Sequence, residues 1–303
     1  MAQTKTVYAL FACSRLEGNE LRTRTVRDLS ESEYEACRSS IRAVEGCLYS
    51  FDTYVRYAVE DLERSRDDLL KNMAIHSFQM SPAQAGSELE FRIINICSAI
   101  KMYADHVQII LGRLYGKESA ERLNALKKFS DLYDSNLAFR VCNHLRNALV
   151  HSGAGGLLST ILRSEAVISD ETTESAQVLL DRQGFRHRAQ NAKVRDEVAD
   201  LPHDLELITT TLEAAGHARR LHEELILTLH PELMPATRQL AGLFAEASTD
   251  HEWPALMEIT PSAPEGSKIK PMPLSTEVRE YVNLFMATKQ GWVSPQENSQ
   301  KQG

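Results

Sequence analysis

The chain has 303 residues, of which 43% are apolar, and its formal net charge is −8. This length and apolar content allow a buried core in one large domain or two smaller ones. The negative charge argues against broad, non-specific affinity for nucleic acids, because such affinity comes from many cationic side chains that displace counterions from phosphates. Any contact with RNA therefore has to be local.

Signals for membranes, secretion and metal sites are missing from the sequence. It has no run of about 18 apolar residues, and its first residues lack the pattern of a secretory signal. We therefore predict a cytoplasmic protein that does not enter a membrane. The five cysteines form no close pairs of the kind that zinc sites use, so we expect them to be reduced and buried. No phosphate loop or metal motif is present, and we predict no cofactor and no metal.

Apolar spacing and turn residues predict a mainly α protein. In chain order, the first predicted elements are a buried strand over 5–13, a charged loop, and helices over 32–73, 82–115, 118–133 and 136–151. A β-hairpin follows, with strands at 166–169 and 176–180. The remaining predicted elements are helices over 202–230 and 235–247, short β-type runs after 250 and a short helix over 278–287. We expect a helical bundle with a β-hairpin insertion and small α+β additions at both termini. The predicted domains are a strand and loop over 1–30, the bundle over 31–248 with its insertion at 157–184, and an appendage with a polar tail over 249–303.

The helix predicted over 136–151 separates apolar from polar side chains on a helical wheel. Its apolar arc, which we expect to be buried, contains Ala138, Val141, Cys142, Leu145, Ala148 and Leu149. Its polar arc, which we expect to face away from the core, contains Arg140, Asn143, His144, Arg146, Asn147 and His151. Arg146 and His151 lie about 140° apart around the helix, with Asn147 between them. Glycines follow at once, so His151 occupies the last turn, where its imidazole can turn towards a ligand.

Arg146 and His151 suit the cleavage of RNA without a metal. In that reaction the adjacent 2′-hydroxyl is the nucleophile, so the protein needs a base for its proton and a cation for the charged phosphorane. An imidazole with a pKa of about 6.5 exchanges protons at cellular pH, and a guanidinium grips two phosphate oxygens at once. Asn147 can orient the imidazole or the phosphate. The negative end of the helix dipole favours the protonated imidazole, and this form of His151 would act as a general acid rather than as a base.

The run Arg146-Asn147-Ala148-Leu149-Val150-His151 resembles the Arg-x4-His motif of HEPN domains, the higher eukaryote and prokaryote nucleotide-binding helical fold. An earlier helix, with Asn95, Ser98 and His106, is similar to the Asn- and Ser-bearing helix that packs against the motif helix in several members. The resemblance spans about residues 33–247. The strand at the N-terminus, the hairpin and the appendage depart from the small members of the family.

The resemblance implies a homodimer in which two Arg and two His form one composite cleft that cuts RNA without a metal. Arg146 and His151 would be catalytic, and Asn147 would support them. Family members commonly act in phage defence, toxin and antitoxin modules or RNA processing, so a regulatory or antitoxin protein is a further expected partner.

Further candidates for RNA contacts lie on the same helix and in a basic block over 182–195. They are Asn143, His144, Arg182, Arg186 and Arg188, and Phe185 within the block can stack on an unpaired base. The alternative for the block is a solvated connector, and the alternative for His144 is a surface histidine. The alternative for Arg146 and His151 is that they belong to a capped helix and have no catalytic role.

Three functional hypotheses remain open at this point. The first is a metal-independent endoribonuclease of the HEPN type in bacterial phage defence or a toxin system. The second is a non-catalytic HEPN-like RNA-binding or scaffold subunit of a larger assembly. The third is a structural adaptor that has no affinity for RNA.

Overall fold

The computed structural model describes residues 6–15, 21–48, 50, 52–74, 81–152, 157–166, 172–189, 191–247, 252–262 and 266–288. Its helices are α1 (Glu31–Leu48), α2 (Asp52–Ala74), α3 (Pro82–Leu114), α4 (Ala120–Ser135), α5 (Leu137–Ser152), α6 (Arg182–Arg188), α7 (Ala192–Ala199), α8 (Leu207–Leu229), α9 (Leu233–Ala247) and α10 (Thr276–Thr288). Its strands are β1 (Val7–Arg15), β2 (Leu21–Leu29), β3 (Leu158–Ala166), β4 (Thr172–Leu180), β5 (Leu205–Glu206), β6 (Trp253–Ser262) and β7 (Gly266–Pro273). The predicted mainly α fold class is confirmed.

The chain divides into two compact units. A central unit comprises Ser50–Leu229, and a terminal unit combines Met1–Tyr49 with His230–Gly303. This division differs from the predicted domain boundaries. The difference arises because α1 and α9, which the apolar spacing assigned to the bundle, pack against each other and against the strands near the two ends of the chain.

The central unit is organised around α3, which packs against α2, α5 and α8. Its predicted start is confirmed, because the Ser81 hydroxyl accepts a hydrogen bond from the Gln84 backbone N–H and the Gln84 side chain accepts one from the Ser81 backbone N–H. Most of its predicted stripe is almost completely buried: Leu89, Ile93, Ile96, Ile100, Tyr103 and Val107. The predicted stripe departs from the core at its end, where Ile110 is only partly buried and Leu114 is 49% exposed, and Leu111 is buried instead. This helix therefore provides the surface on which the other long helices of the unit pack.

A β-hairpin is present, as predicted, and β4 contains the predicted second strand at 176–180. The first strand differs, because β3 ends at Ala166, where the predicted strand at 166–169 begins, and 167–169 lie outside the described residues. Strands β3 and β4 pair from Leu158 with Leu180 to Ala166 with Thr172, and β5 adds a third strand beside β4. Val178 and Leu180 are fully buried in the same core as α3 and α5. The hairpin is therefore an integral part of the central unit.

The terminal unit contains a four-stranded antiparallel sheet in the order β2-β1-β6-β7. The predicted loop after the first strand is wrong, because residues 21–29 form β2. Arg22 and Arg24 alternate with threonines, which is a strand pattern, and two of the arginines have acidic partners. Arg27 binds Glu33 of α1 and Glu246 of α9, and Arg24 binds Glu252.

Two predicted helix boundaries are also wrong. The helix predicted over 32–73 is two helices, since α1 ends at Leu48 and α2 begins at Asp52, and these helices belong to different compact units. Helix α8 begins at Leu207 rather than at Pro202, because residues 205–206 pair with β4. The Glu206 carboxylate then accepts hydrogen bonds from the Ile208 and Thr209 backbone N–H groups and caps the helix.

The five cysteines are buried and free of disulfide bonds, as predicted. Across the described part of the chain, no helix combines the length and apolar character needed to cross a membrane.

Candidate functional site

Helix α5 carries the motif and lies between α3 and α8, with α4, α6 and α7 also against it. Its predicted apolar arc is confirmed as the buried face. Val141, Cys142 and Leu145 have no exposed surface, and Ala138, Ala148 and Leu149 are nearly as buried. This packing fixes the rotation of the helix about its axis, and with it the direction in which each polar side chain points.

Arg146 is exposed on the outer side of α5. Its Nη1 lies 3.5 Å from the Oδ1 of the half-buried Asn147, which is the outer limit of a hydrogen bond. The contact leaves most of the guanidinium donors available to a ligand. His151 lies in the last turn of the helix, as predicted, and its side chain is outside the described residues.

Arg140 does not lie on the open face, which corrects the helical-wheel prediction. It is only 7% exposed, and its Nε donates a hydrogen bond of 2.9 Å to Glu197 of α7. Its Nη1 also donates to the backbone carbonyls of Tyr133 and Asp134 at the end of α4. The wheel describes an isolated helix, whereas α4 and α7 cover this flank of α5.

His144 belongs to a hydrogen-bonded network on the same flank. The Asn191 side-chain amide donates to the Tyr133 hydroxyl at 3.1 Å, and that hydroxyl lies 2.7 Å from His144 Nε2. Burial lowers the pKa of the His144 imidazole below its ordinary value, which favours the neutral ring. A neutral imidazole with its proton on Nδ1 accepts the tyrosine hydrogen bond at Nε2.

Asn143, which the sequence offered as an RNA contact, is half-buried. Its side-chain amide donates a hydrogen bond of 2.8 Å to the Phe139 carbonyl one turn earlier in α5. Asn143 and His144 therefore both have partners within the fold, in contrast to the exposed guanidinium of Arg146.

The basic block folds into α6 and the first part of α7. Phe185 is fully buried in the central core, so the prediction that it stacks on a base is wrong. Its apolar ring is the anchor that holds the short helix α6 to the core. A sequence reading that weighed only the surrounding charges missed this role.

Several charges of the block are paired with acidic residues. Arg182 lies 3.8 Å from Asp204, Lys193 lies 3.3 Å from Asp134, and Arg195 lies 3.3 Å from Asp196. Arg186 is exposed, and no ion pair or hydrogen bond joins it to another described residue, while Arg188 is half-buried. The block therefore presents fewer available cations than its composition suggests.

The residues that hold α5 in place were not identified from the sequence. Tyr133, Asn191 and Glu197 come from α4 and from the start and middle of α7. Asn191 does carry a recognisable signal, because Asn followed by a short helical run is a common N-cap, and its side chain accepts from the Val194 backbone N–H.

A groove of about 270 Å³ lies between α2 and α3. Three of its lining side chains form one charge cluster, in which Arg92 Nη2 lies 2.8 Å from Glu88 and Arg92 Nε lies 3.3 Å from Asp61. The second contact lacks hydrogen-bond geometry and is electrostatic only. Because these charges compensate one another, the groove does not select an anion. Among the described residues, no three His, Cys, Asp or Glu side chains are placed to hold a metal ion.

Replacing Tyr133 with Phe should weaken the fold without changing the exposed face of α5. His144 and Asn191 each lose a hydrogen-bond partner in a half-buried site, so we expect the free energy of unfolding to fall by about 1–3 kcal/mol. Urea denaturation followed by circular dichroism measures this change.

Tyr57→Phe is the matched control, because Tyr57 is 50% exposed and its ring packs under the Arg56 guanidinium, a contact that Phe keeps. Its effect should be within about 0.5 kcal/mol, as for most surface substitutions. Equal losses for the two variants would show that the Tyr133 network does not support α5.

No protein-family model, curated protein or solved structure matches the chain. The likeness to HEPN domains therefore depends on the residues of α5 and α3 alone, and it stays a prediction.

Proposed function

We propose that the chain is a metal-independent endoribonuclease of the HEPN type, in which Arg146 and His151 act on the scissile phosphate and Asn147 supports them. The observation that carries this proposal is the exposed Arg146 on a helix whose polar residues Arg140, Asn143 and His144 have partners within the fold. A cation held on a rigid, well-packed helix near its end is suited to bind a phosphate with little loss of conformational freedom.

The chemistry assigns one task to each side chain. His151 removes the proton from the 2′-hydroxyl, whose oxygen attacks the phosphorus. Arg146 stabilises the added negative charge on the phosphorane oxygens. The bond between phosphorus and the 5′-oxygen then breaks, a protonated imidazole supplies a proton to the leaving oxygen, and a 2′,3′-cyclic phosphate remains.

A homodimer belongs to the same proposal. One histidine is the base and a second histidine is the acid in a composite cleft, so two copies of α5 supply both. The proposed setting is cytoplasmic, in phage defence or a toxin system, with a regulatory or antitoxin protein as a further partner. The few available cations of the basic block favour a short stretch of single-stranded RNA over a long duplex.

Purified protein should cut single-stranded RNA in the presence of EDTA and leave cyclic-phosphate ends. Arg146→Ala and His151→Ala should each lower the rate by about 100-fold or more, since each removes a group that acts in the transition state. Gel analysis of end-labelled RNA measures the rate, and circular dichroism verifies the fold of each variant.

Arg113→Ala is the matched control, because Arg113 is also an exposed arginine near a helix end but lies on α3. It should leave the rate unchanged. Mixing the Arg146→Ala and His151→Ala proteins should restore part of the activity if the cleft is composite. Cleavage that survives both substitutions would remove the nuclease assignment.

The second candidate function is a non-catalytic RNA-binding or scaffold subunit. The observation that favours it is the pairing of Arg182, Lys193 and Arg195 with acidic residues together with the burial of Phe185. This arrangement is typical of a block that stabilises the fold. In this function the protein binds RNA through a few cations and does not cut it.

The salt dependence of RNA binding shows how many cations take part. For single-stranded RNA, each phosphate contact contributes about −0.7 to the slope of log affinity against log salt concentration. We expect Arg186→Ala to reduce the magnitude of this slope by about that amount, because Arg186 is exposed and without an acidic partner among the described residues.

Lys193→Ala is the control from the same block, because Lys193 is held by Asp134, and it should leave the slope unchanged. Fluorescence anisotropy with a labelled single strand gives both values. Equal changes for the two variants would show that the ion pairs open when RNA binds.

A further inference from the structure

Contacts within the central unit fix how α5 lies along α3. The thiols of Cys97 on α3 and Cys142 on α5 interact with each other in the core. Thr160, which follows the end of α5 in the chain, donates a hydrogen bond of 3.2 Å to Glu90 near the start of α3. The end of α5 is therefore next to the start of α3, and the two helices are antiparallel. Arg146 comes one turn after Cys142, so it lies beside residues 91–94 of α3.

The surface that exposes Arg146 continues onto the solvent-facing side of α3. Around α5, Arg146 is about 40° from Cys142, which faces α3, so its side chain is directed towards α3. Around α3, Phe91 is about 120° from Cys97, and its ring is 58% exposed. Helix α8 packs against the inner side of both helices, and α2 covers the far flank of α3. The exposed guanidinium and the exposed ring therefore share the outer surface.

Two more side chains of α3 lie on this surface next to Phe91. Asn95 and Ser98 are about 40° and 20° from Phe91 around the helix axis. Both are half-buried, and neither side chain has a hydrogen-bond partner among the described residues. We call Phe91, Asn95 and Ser98 the α3 strip. An aromatic ring, a carboxamide and a hydroxyl group are thus available to a ligand at one place.

The α3 strip has no charge of its own, and the nearby acidic residues of the helix are already engaged. Glu88 lies 2.8 Å from Arg92 on the flank that α2 covers, and Glu90 accepts the hydrogen bond from Thr160. Residues 82–98 contain no other acidic residue. An anionic strand can therefore reach the strip without meeting an unpaired carboxylate of this part of α3.

We propose that the α3 strip binds an unpaired base of the RNA whose phosphate is held by Arg146. This inference rests on the proposed function and names the part of the substrate that the same site selects. The base stacks on the Phe91 ring, as in single-strand binding proteins that place aromatic rings beside cations. The Asn95 carboxamide and the Ser98 hydroxyl form hydrogen bonds with the edge of the base. Packed helices lie about 8–10 Å apart between their axes, which keeps the base and the phosphate of one nucleotide within reach.

A requirement for an unpaired base follows from this arrangement. A base within a duplex is stacked between its neighbours, so its face is not available to Phe91 until the base leaves the stack. Leaving the stack costs free energy, and the strip therefore favours single-stranded or looped RNA. Arg146 binds only the backbone and does not make this distinction by itself.

Binding to a single strand that cannot be cut tests the strip. The probe is a labelled 2′-fluoro RNA strand, which lacks the nucleophilic hydroxyl, and its counterpart is an abasic strand of the same length. In fluorescence anisotropy with the full chain, Phe91→Ala should weaken binding of the intact strand by about 5- to 150-fold, the range for one base stacked on an aromatic ring. Its affinity for the abasic strand should stay at the wild-type value. Phe91→Trp should keep the affinity for the intact strand, and Phe91→Leu should lose it, because leucine has no ring.

Ile109→Ala is the matched control, because Ile109 is 49% exposed on the same side of α3 but lies about 27 Å further along the helix. It should bind both strands as the wild type does. Unchanged affinity in Phe91→Ala, equal weakening for the intact and abasic strands, or a wild type that binds neither strand overturns the inference. A lower sedimenting mass of Phe91→Ala without a change in its preference for the intact strand also overturns it, because the ring would then belong to a protein interface. Circular dichroism verifies the fold of each variant.

The cleavage assay in EDTA separates this inference from the proposed function. Wild-type protein that prefers the intact strand through Phe91 but cuts no RNA keeps the strip and removes the nuclease assignment. Cleavage by a Phe91→Ala protein that binds the intact strand with wild-type affinity removes the strip and keeps the nuclease assignment.

Discussion

The burial of one side of α5 against α3 and α8 is the constraint on which the candidate site depends. Each large apolar side chain taken out of water contributes about 1.5–3 kcal/mol, and α5 buries Val141, Cys142 and Leu145 completely. A rotation by one residue, about 100°, would expose this stripe and bury a guanidinium. Arg146 therefore points outwards because its apolar neighbours have to point inwards.

The surroundings of α5 then decide which of its polar side chains are available. Arg140 and His144 occupy the flank that α4 and α7 cover, where Glu197, Tyr133 and Asn191 bind them. These contacts stabilise the position of the helix and occupy the groups that make them. A helix can thus carry many polar side chains suited to bind a phosphate and still leave only some of them available to a ligand.

Much of the fold could be predicted because it depends on residues close together in the sequence. The cap at Ser81 and the buried stripe of α3 follow from spacings of three and four residues. The partner of Arg140 lies 57 residues away, and the pairing of β1 with β6 brings together Thr6 and Thr260, which are 254 residues apart. No local pattern specifies contacts over such separations, so the wheel misplaced Arg140.

The terminal unit shows the same limit on a larger scale. Its strands near the two ends of the chain read as a strand with a loop and as a small appendage, since neither segment has a complete sheet of its own. Joined, they give one four-stranded sheet in which β1 and β6 are the central strands. The apolar runs at 5–13 and 255–259 were visible in the sequence, but their pairing with each other was not.

The direct test of the central claim is the reactivity of individual arginines towards phenylglyoxal, followed by mass spectrometry with and without single-stranded RNA. If α5 is oriented as described, Arg146 reacts as an exposed arginine, Arg140 is protected, and RNA slows the reaction of Arg146. Protection of Arg146 in the free protein, or a rate that RNA leaves unchanged, would contradict the assignment of this helix as the RNA-cleaving site.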